Sequence, residues 1–194
     1  MKPIVIAKDK GHLQDLITRE LKLNGDFCDL THIDVSLIEN MNELFKFSNF
    51  NGDISNWNTS KVINMTGMFY GSQFNGDISK WDVSQVRCMD NMFVKANFNG
   101  DISKWDVSNV IRMNYMFYKS DFNQDLSAWK PYNLLSLDPQ NIGLVQNIFD
   151  NNIPYWAYIG DAEKRNQAID NYWLKKELDK DLNDNNYQNK KIKI

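Results

Sequence analysis

The tetrads Phe50-Asn51-Gly52-Asp53, Phe74-Asn75-Gly76-Asp77, Phe98-Asn99-Gly100-Asp101 and Phe122-Asn123-Gln124-Asp125 recur at a fixed spacing of 24 residues. A period of this length marks a solenoid, because one such unit cannot bury its apolar face alone and must stack on its neighbours. Carried backwards, Asp29 to Ser36 falls under Asp53 to Ser60, so residues from about 26 form a degenerate first unit. The self-alignment sorts apolar residues into columns. Leu30, Ile54, Ile78, Ile102 and Leu126 make the first; Ile33, Trp57, Trp81, Trp105 and Trp129 the second; Val35, Thr59, Val83 and Val107 the third. Their relative spacing is the L-x-x-L-x-L of leucine-rich repeats.

The second half of each unit changes period. Val86, Met89, Met92 and Phe93, repeated as Val110, Met113, Met116 and Phe117, fall on one face of a short helix. Ser36, Ser60, Ser84 and Ser108 stand where N-caps belong, and Ser36 with Glu39 reads as a capping box. The Asn-Gly pairs at 51, 75 and 99 supply residues tolerant of positive φ where the chain swings into the next strand. The expected fold is an α/β solenoid, a leucine-rich-repeat-like right-handed coil of short parallel strands and short helices with helical N- and C-terminal caps. Residues 1–25 are the N-terminal cap, with a stripe of Leu13, Leu16, Ile17 and Leu21, and 26–133 the solenoid. Pro131 enters the valine column, lacks an N–H, and should stop the regular array. Residues 134–194 are an irregular last repeat, a cap helix carrying Ile169, Trp173, Leu174, Leu178 and Leu182, and a basic tail.

The unit Phe98 to Phe117, with its F-N-x-D opening, W-D-V-S centre and M-x-x-M-F close, resembles the repeat of the BspA-like leucine-rich-repeat proteins, a bacterial group also found in mycoplasma lipoproteins. The likeness covers roughly residues 26 to 130. It implies a bacterial or mobile-element origin, a curved repeat fold and protein binding, many members being surface adhesins.

Other classes find little support. The apolar run near Met1 is only Ile4 to Ala7, no secretory core precedes it, and no stretch is long enough to span a bilayer, so the expected location is cytoplasmic with no membrane partner. Cys28 and Cys88 occupy non-equivalent positions and read as reduced thiols. The net charge of −3 disfavours a nucleic-acid groove. His12 and His32 lack a ligand set, and no nucleophile elbow or phosphate loop occurs, so neither enzyme, metal nor cofactor is expected. Asp29, Asp53, Asp77, Asp101 and Asp125 would form a like-charge ladder, each neighbouring pair repelling by roughly 1 kcal/mol in water. Turn bonding of each carboxylate to backbone N–H groups is the expected offset, the alternatives being calcium bound between coils or an acidic strip that engages a basic partner. The motif lacks the alternating oxygen ligands of calcium loops.

Three surfaces are candidates for a protein or ribonucleoprotein partner. Residues flanking the second and third columns would line a concave face: His32, Asp34, Asn56, Asn58, Lys80, Asp82, Lys104, Asp106 and Lys130. A rival edge carries Tyr70, Arg87, Arg112, Tyr115 and Tyr118, of the residue types favoured at hot spots. The C-terminal helix offers Tyr155, Trp156, Tyr172 and Trp173. The expected function is non-enzymatic occupation of a partner's surface, as by a phage or mobile-element inhibitor of a bacterial defence complex. The alternatives are a surface adhesin or a dimerising scaffold.

Overall fold

The computed structural model describes residues 3–135, 156 and 159–191, with side chains up to 180. Its elements in chain order are β1 (Val5–Ile6), α1 (Lys10–Asn24), β2 (Ile33–Asp34) and a second helix, α2 (Ala162–Lys191). The Asp9 carboxylate accepts the His12 N–H at 2.8 Å and so caps α1 at its start. Gly25 ends it at φ 77, donating to the Leu21 carbonyl. Leu13 and Ile17 bury the helix against the first unit, and β1 pairs in parallel with β2, Val5 opposite Ile33.

Between α1 and α2 the 24-residue units are tied together by their backbones. Met65, Gly67, Phe69 and Gly71 donate to the carbonyls of Cys88, Asp90, Met92 and Val94 in the next unit, at 2.7–2.9 Å. The N–H groups between these rungs turn back within the unit: Met68 donates to Met65, Tyr70 to Gly67 and Ser72 to Phe69. Alternate donors thus go outward and homeward. A helix would consume every N–H internally and leave none for the neighbour.

This alternation replaces the short helix expected in each unit. Over 86–93 and 110–117 the chain runs as successive turns, and Ser36, Ser60, Ser84 and Ser108 therefore cap no helix. The apolar spacing that resembled a helical face arises because each turn advances the chain three or four residues between buried positions. Left-handed residues occur at intervals of four, Gly67 and Gly71 in one unit and Glu43, Phe47, Asn91, Lys95, Tyr115 and Lys119 in the others. The short strands also shrink: apart from β1 and β2, strand pairing among the described residues is limited to single bridges such as Asn64 with Cys88. The segments Leu30–Ile33, Ile78–Trp81 and Ile102–Trp105 each close an i to i+3 turn.

Stacked rings fill the interior. Phe45, Phe69, Phe93 and Phe117 lie 5.5–5.7 Å apart between units, and Phe50, Phe74, Phe98 and Phe122 lie 5.9–6.3 Å apart. Each buried phenylalanine contributes about 1.5–3 kcal/mol by area alone. The indoles add a polar ladder. Nε1 of Trp57, Trp81, Trp105 and Trp129 donates to the carbonyls of Leu30, Ile54, Ile78 and Ile102, at 2.9–3.1 Å.

The rung pattern persists past Pro131 as far as Leu135, where the described residues of this segment end. Pro131 is buried, and beyond it Leu135 still donates to Ile111, the rung that Ile111 makes to Arg87. The equivalent Val83 and Val107 spend no N–H on a neighbouring unit, so a proline there forfeits nothing. The last coil is covered by Trp156 and α2. Arg165 is fully buried and donates through Nη2 to the Leu134 carbonyl, while Asn166 donates to the Tyr132 carbonyl at 3.0 Å. The Tyr132 hydroxyl donates to Asp170 at 2.8 Å; burial, then this bond, push its pKa up to about 12.

Candidate functional site

Each aspartate of the Asp29, Asp53, Asp77, Asp101 and Asp125 column accepts the backbone N–H two residues on, at 2.7–2.9 Å. For Asp77 the backbone bond from Ser79 is the main force holding the carboxyl below its ordinary value, partly opposed by the Asp101 charge. For Asp101 and Asp125 the serine hydroxyls, at 103 and 127, come first. The same turn is repeated at Asp34, Asn58, Asp82 and Asp106, which accept from Ser36, Ser60, Ser84 and Ser108 at 2.9–3.2 Å. These serines close Asx turns.

The expected concave face is therefore divided in its duties. Asp34, Asn58, Asp82 and Asp106 hold turns. His32 sits half-buried with Nε2 3.5 Å from Glu20, and Lys130 lies 4.4 Å over the Trp173 ring of α2. Asn56 reaches the Thr31 carbonyl at 3.5 Å. Lys80 and Lys104 are exposed and without an ion pair among the described residues.

The rival edge gathers more than the sequence pattern brought together. Tyr70 meets Phe47 edge-on at 5.1 Å, and the Lys46 ammonium lies 5.6 and 5.9 Å from the two rings. Lys46 also pairs with Glu43, holding that carboxyl below its ordinary value. Tyr115 meets Tyr118 at 5.9 Å, with Lys119 5.2 Å over the latter. Arg112 is engaged, Nε 3.2 Å from Asp90 and Nη2 donating to the Cys88 sulfur at 3.3 Å; Arg87 is exposed. Lys46, Phe47 and Lys119 belong to this edge and were missed: Lys46 stands in the column of Tyr70 and Tyr118, and Phe47 and Lys119 follow that column by one residue. The available signal was their periodicity with Gly71 and Lys95.

On the C-terminal helix and its approach, Trp156 is wholly buried and Trp173 half-buried against the core. Tyr172 meets Trp173 edge-on at 5.9 Å, with Lys176 4.7 Å over its ring. Tyr155 lies outside the described residues. Among the described residues no group of three His, Cys, Asp or Glu side chains could hold a metal ion, and no helix is long and apolar enough to cross a membrane.

Comparison with known proteins finds no matching curated protein and no matching solved structure. A family match is found over residues 16–129 and again over 73–170, two overlapping spans that together take in the second part of α1, every aligned unit and the start of α2. On that coverage the chain belongs to the family described as Mycoplasma protein of unknown function, DUF285.

Proposed function

We propose that the chain is a non-enzymatic binding protein, a solenoid of the BspA-like leucine-rich-repeat kind, that occupies a surface of a protein or ribonucleoprotein partner through the edge at Phe47, Tyr70, Tyr115 and Tyr118. The observation that carries this is large aromatic surface left exposed at left-handed turn positions. Phe47 and Tyr115 hold φ of 55 and 56, at positions where another unit uses Gly71 and Gly67. A left-handed conformation costs a large L-residue roughly 1–2 kcal/mol. Their rings are 66% and 43% exposed, so the core gains little from them. Glu43, Asn91, Lys95 and Lys119 hold the same φ in other units, so the turn requires it; exposed aromatic rings kept there are the pattern of a binding surface.

The partner is read as a bacterial defence complex that the chain inhibits by covering it, as a phage or mobile-element product would. The double variant Phe47→Gly with Tyr115→Gly tests the edge. Relief of strain and loss of ring contacts offset each other, so unfolding free energy should move by less than about 1 kcal/mol. Tagged wild-type protein should retain a stoichiometric complex from bacterial lysate, read by native mass, and the variant should lose it. Lys80→Glu with Lys104→Glu should keep it. Loss with the lysine pair and retention with the glycine pair would move the site to the other face; retention only on host cells would make the chain an adhesin.

A further inference from the structure

Residues 51, 75 and 99 form a ladder of asparagines. Each Oδ1 accepts the backbone N–H of the asparagine one unit on, Asn75, Asn99 and Asn123, at 2.8–2.9 Å. This fixes every amide in one rotamer and leaves the NH2 groups of Asn51 and Asn75 as donors held at regular intervals on the surface. Beside them Asn97 donates to Gln73 at 2.6 Å, leaving the Gln73 NH2 outward. The two rows border an open groove of about 510 Å³.

The position one unit before Asn51 is Phe27. The ladder ends there, since the Asn51 N–H donates to the Asp26 carbonyl at 2.8 Å, and the phenylalanine stands 80% exposed. Its ring walls the amide groove and also a second groove of about 440 Å³, whose other walls are Asn51, Asp53 and Asp77 and whose floor is Gly52 and Gly76. Phe27 and Asn51 line both grooves, which therefore adjoin along these two side chains. Each aspartate uses Oδ1 in its own turn, so the carboxylate's second oxygen is the acceptor it offers.

A fixed row of donors, a parallel row of acceptors and one bare aromatic face describe a ligand with repeated groups that both donate and accept, and with apolar C–H faces. We infer that this surface binds a linear neutral oligosaccharide. Hydroxyl groups accept from the amides and donate to Asp53 and Asp77. The C–H face of a pyranose ring rests on the negative π-face of Phe27. Fixed amides reduce the ordering that binding requires. Asp26, Asp53 and Asp77 repel sulfated or phosphorylated chains, and a groove with a single apolar side chain does not hold a greasy one.

The test is a nitrogen-15 NMR titration of the full chain with maltohexaose, cellohexaose and chitohexaose, and with a heparin hexasaccharide as the anionic comparison. At least one neutral hexasaccharide should shift the side-chain amide resonances of Asn51 and Asn75 saturably, and heparin should not. Phe27→Asn should weaken that binding tenfold or more with an unchanged melting temperature, and Gln73→Ala should weaken it several-fold. Phe47→Gly with Tyr115→Gly should leave it intact, which separates this site from the protein-binding edge. No shift with any neutral sugar, an undiminished affinity in Phe27→Asn, or a response to heparin alone would overturn the assignment.

Discussion

A methyl group at position 52 would lie 1.9 Å from the carbonyl oxygen of Cys28 and 2.7 Å from the Phe50 ring. Neither neighbour can step aside, since one is backbone and the other is packed in the phenylalanine column. Gly52→Ala should therefore destabilise the fold by about 1–3 kcal/mol in urea titration. Gly67→Ala, where the nearest atom is the flexible Glu43 side chain at 3.4 Å but φ is 60, should cost only the left-handed strain, about 1–2 kcal/mol. The Asn-Gly pairs were legible as special positions, but the expected reason, positive φ, does not apply at 52, 76 or 100. Their glycines make room for the adjacent unit or for the preceding phenylalanine ring. That neighbour exists only after stacking, which a local reading of turn chemistry does not include.

At the scale of the repeated element, alternate N–H groups serve two masters, and the rest of the packing follows. Columns were legible because period and apolar identity survive any local geometry: Ile54, Trp57, Ile78 and Trp81 are buried as aligned. The helix in the second half was misread because turns three or four residues apart give nearly the same apolar spacing as a helix. Gly67 and Gly71, four residues apart inside that segment, were the contrary signal. The polar use of the tryptophans was not legible, since an indole column reads first as filler. Trp81→Phe removes a buried donor from the Ile54 carbonyl and part of the stacked ring surface. It should lower unfolding free energy by about 2–4 kcal/mol, checked by denaturant titration. A loss below about 1 kcal/mol would show that the indole is held by packing alone. Of the candidate site, the Tyr and Arg edge was partly legible by composition, whereas Phe27 and Phe47 gained meaning only from their exposure and register.

For the whole molecule, the aspartate column links stability to pH. Asp77, Asp101 and Asp125 have folded pKa values below the ordinary 3.8, so in acid the unfolded chain binds more protons than the folded one. The contribution is present above that ordinary value and is lost as pH falls through the lower, folded values. The urea midpoint should drop between about pH 5 and pH 2. Asp77→Asn, which keeps a turn acceptor of the kind Asn58 already supplies, should make that slope shallower.

The asparagine ladder has a further consequence. Because the rungs from 51 to 75, 75 to 99 and 99 to 123 make the same bond, excising or duplicating one repeat among them preserves that bond at each junction and changes only how many there are. The spacing of the exposed amides is set by the repeat, and their number by copy number alone.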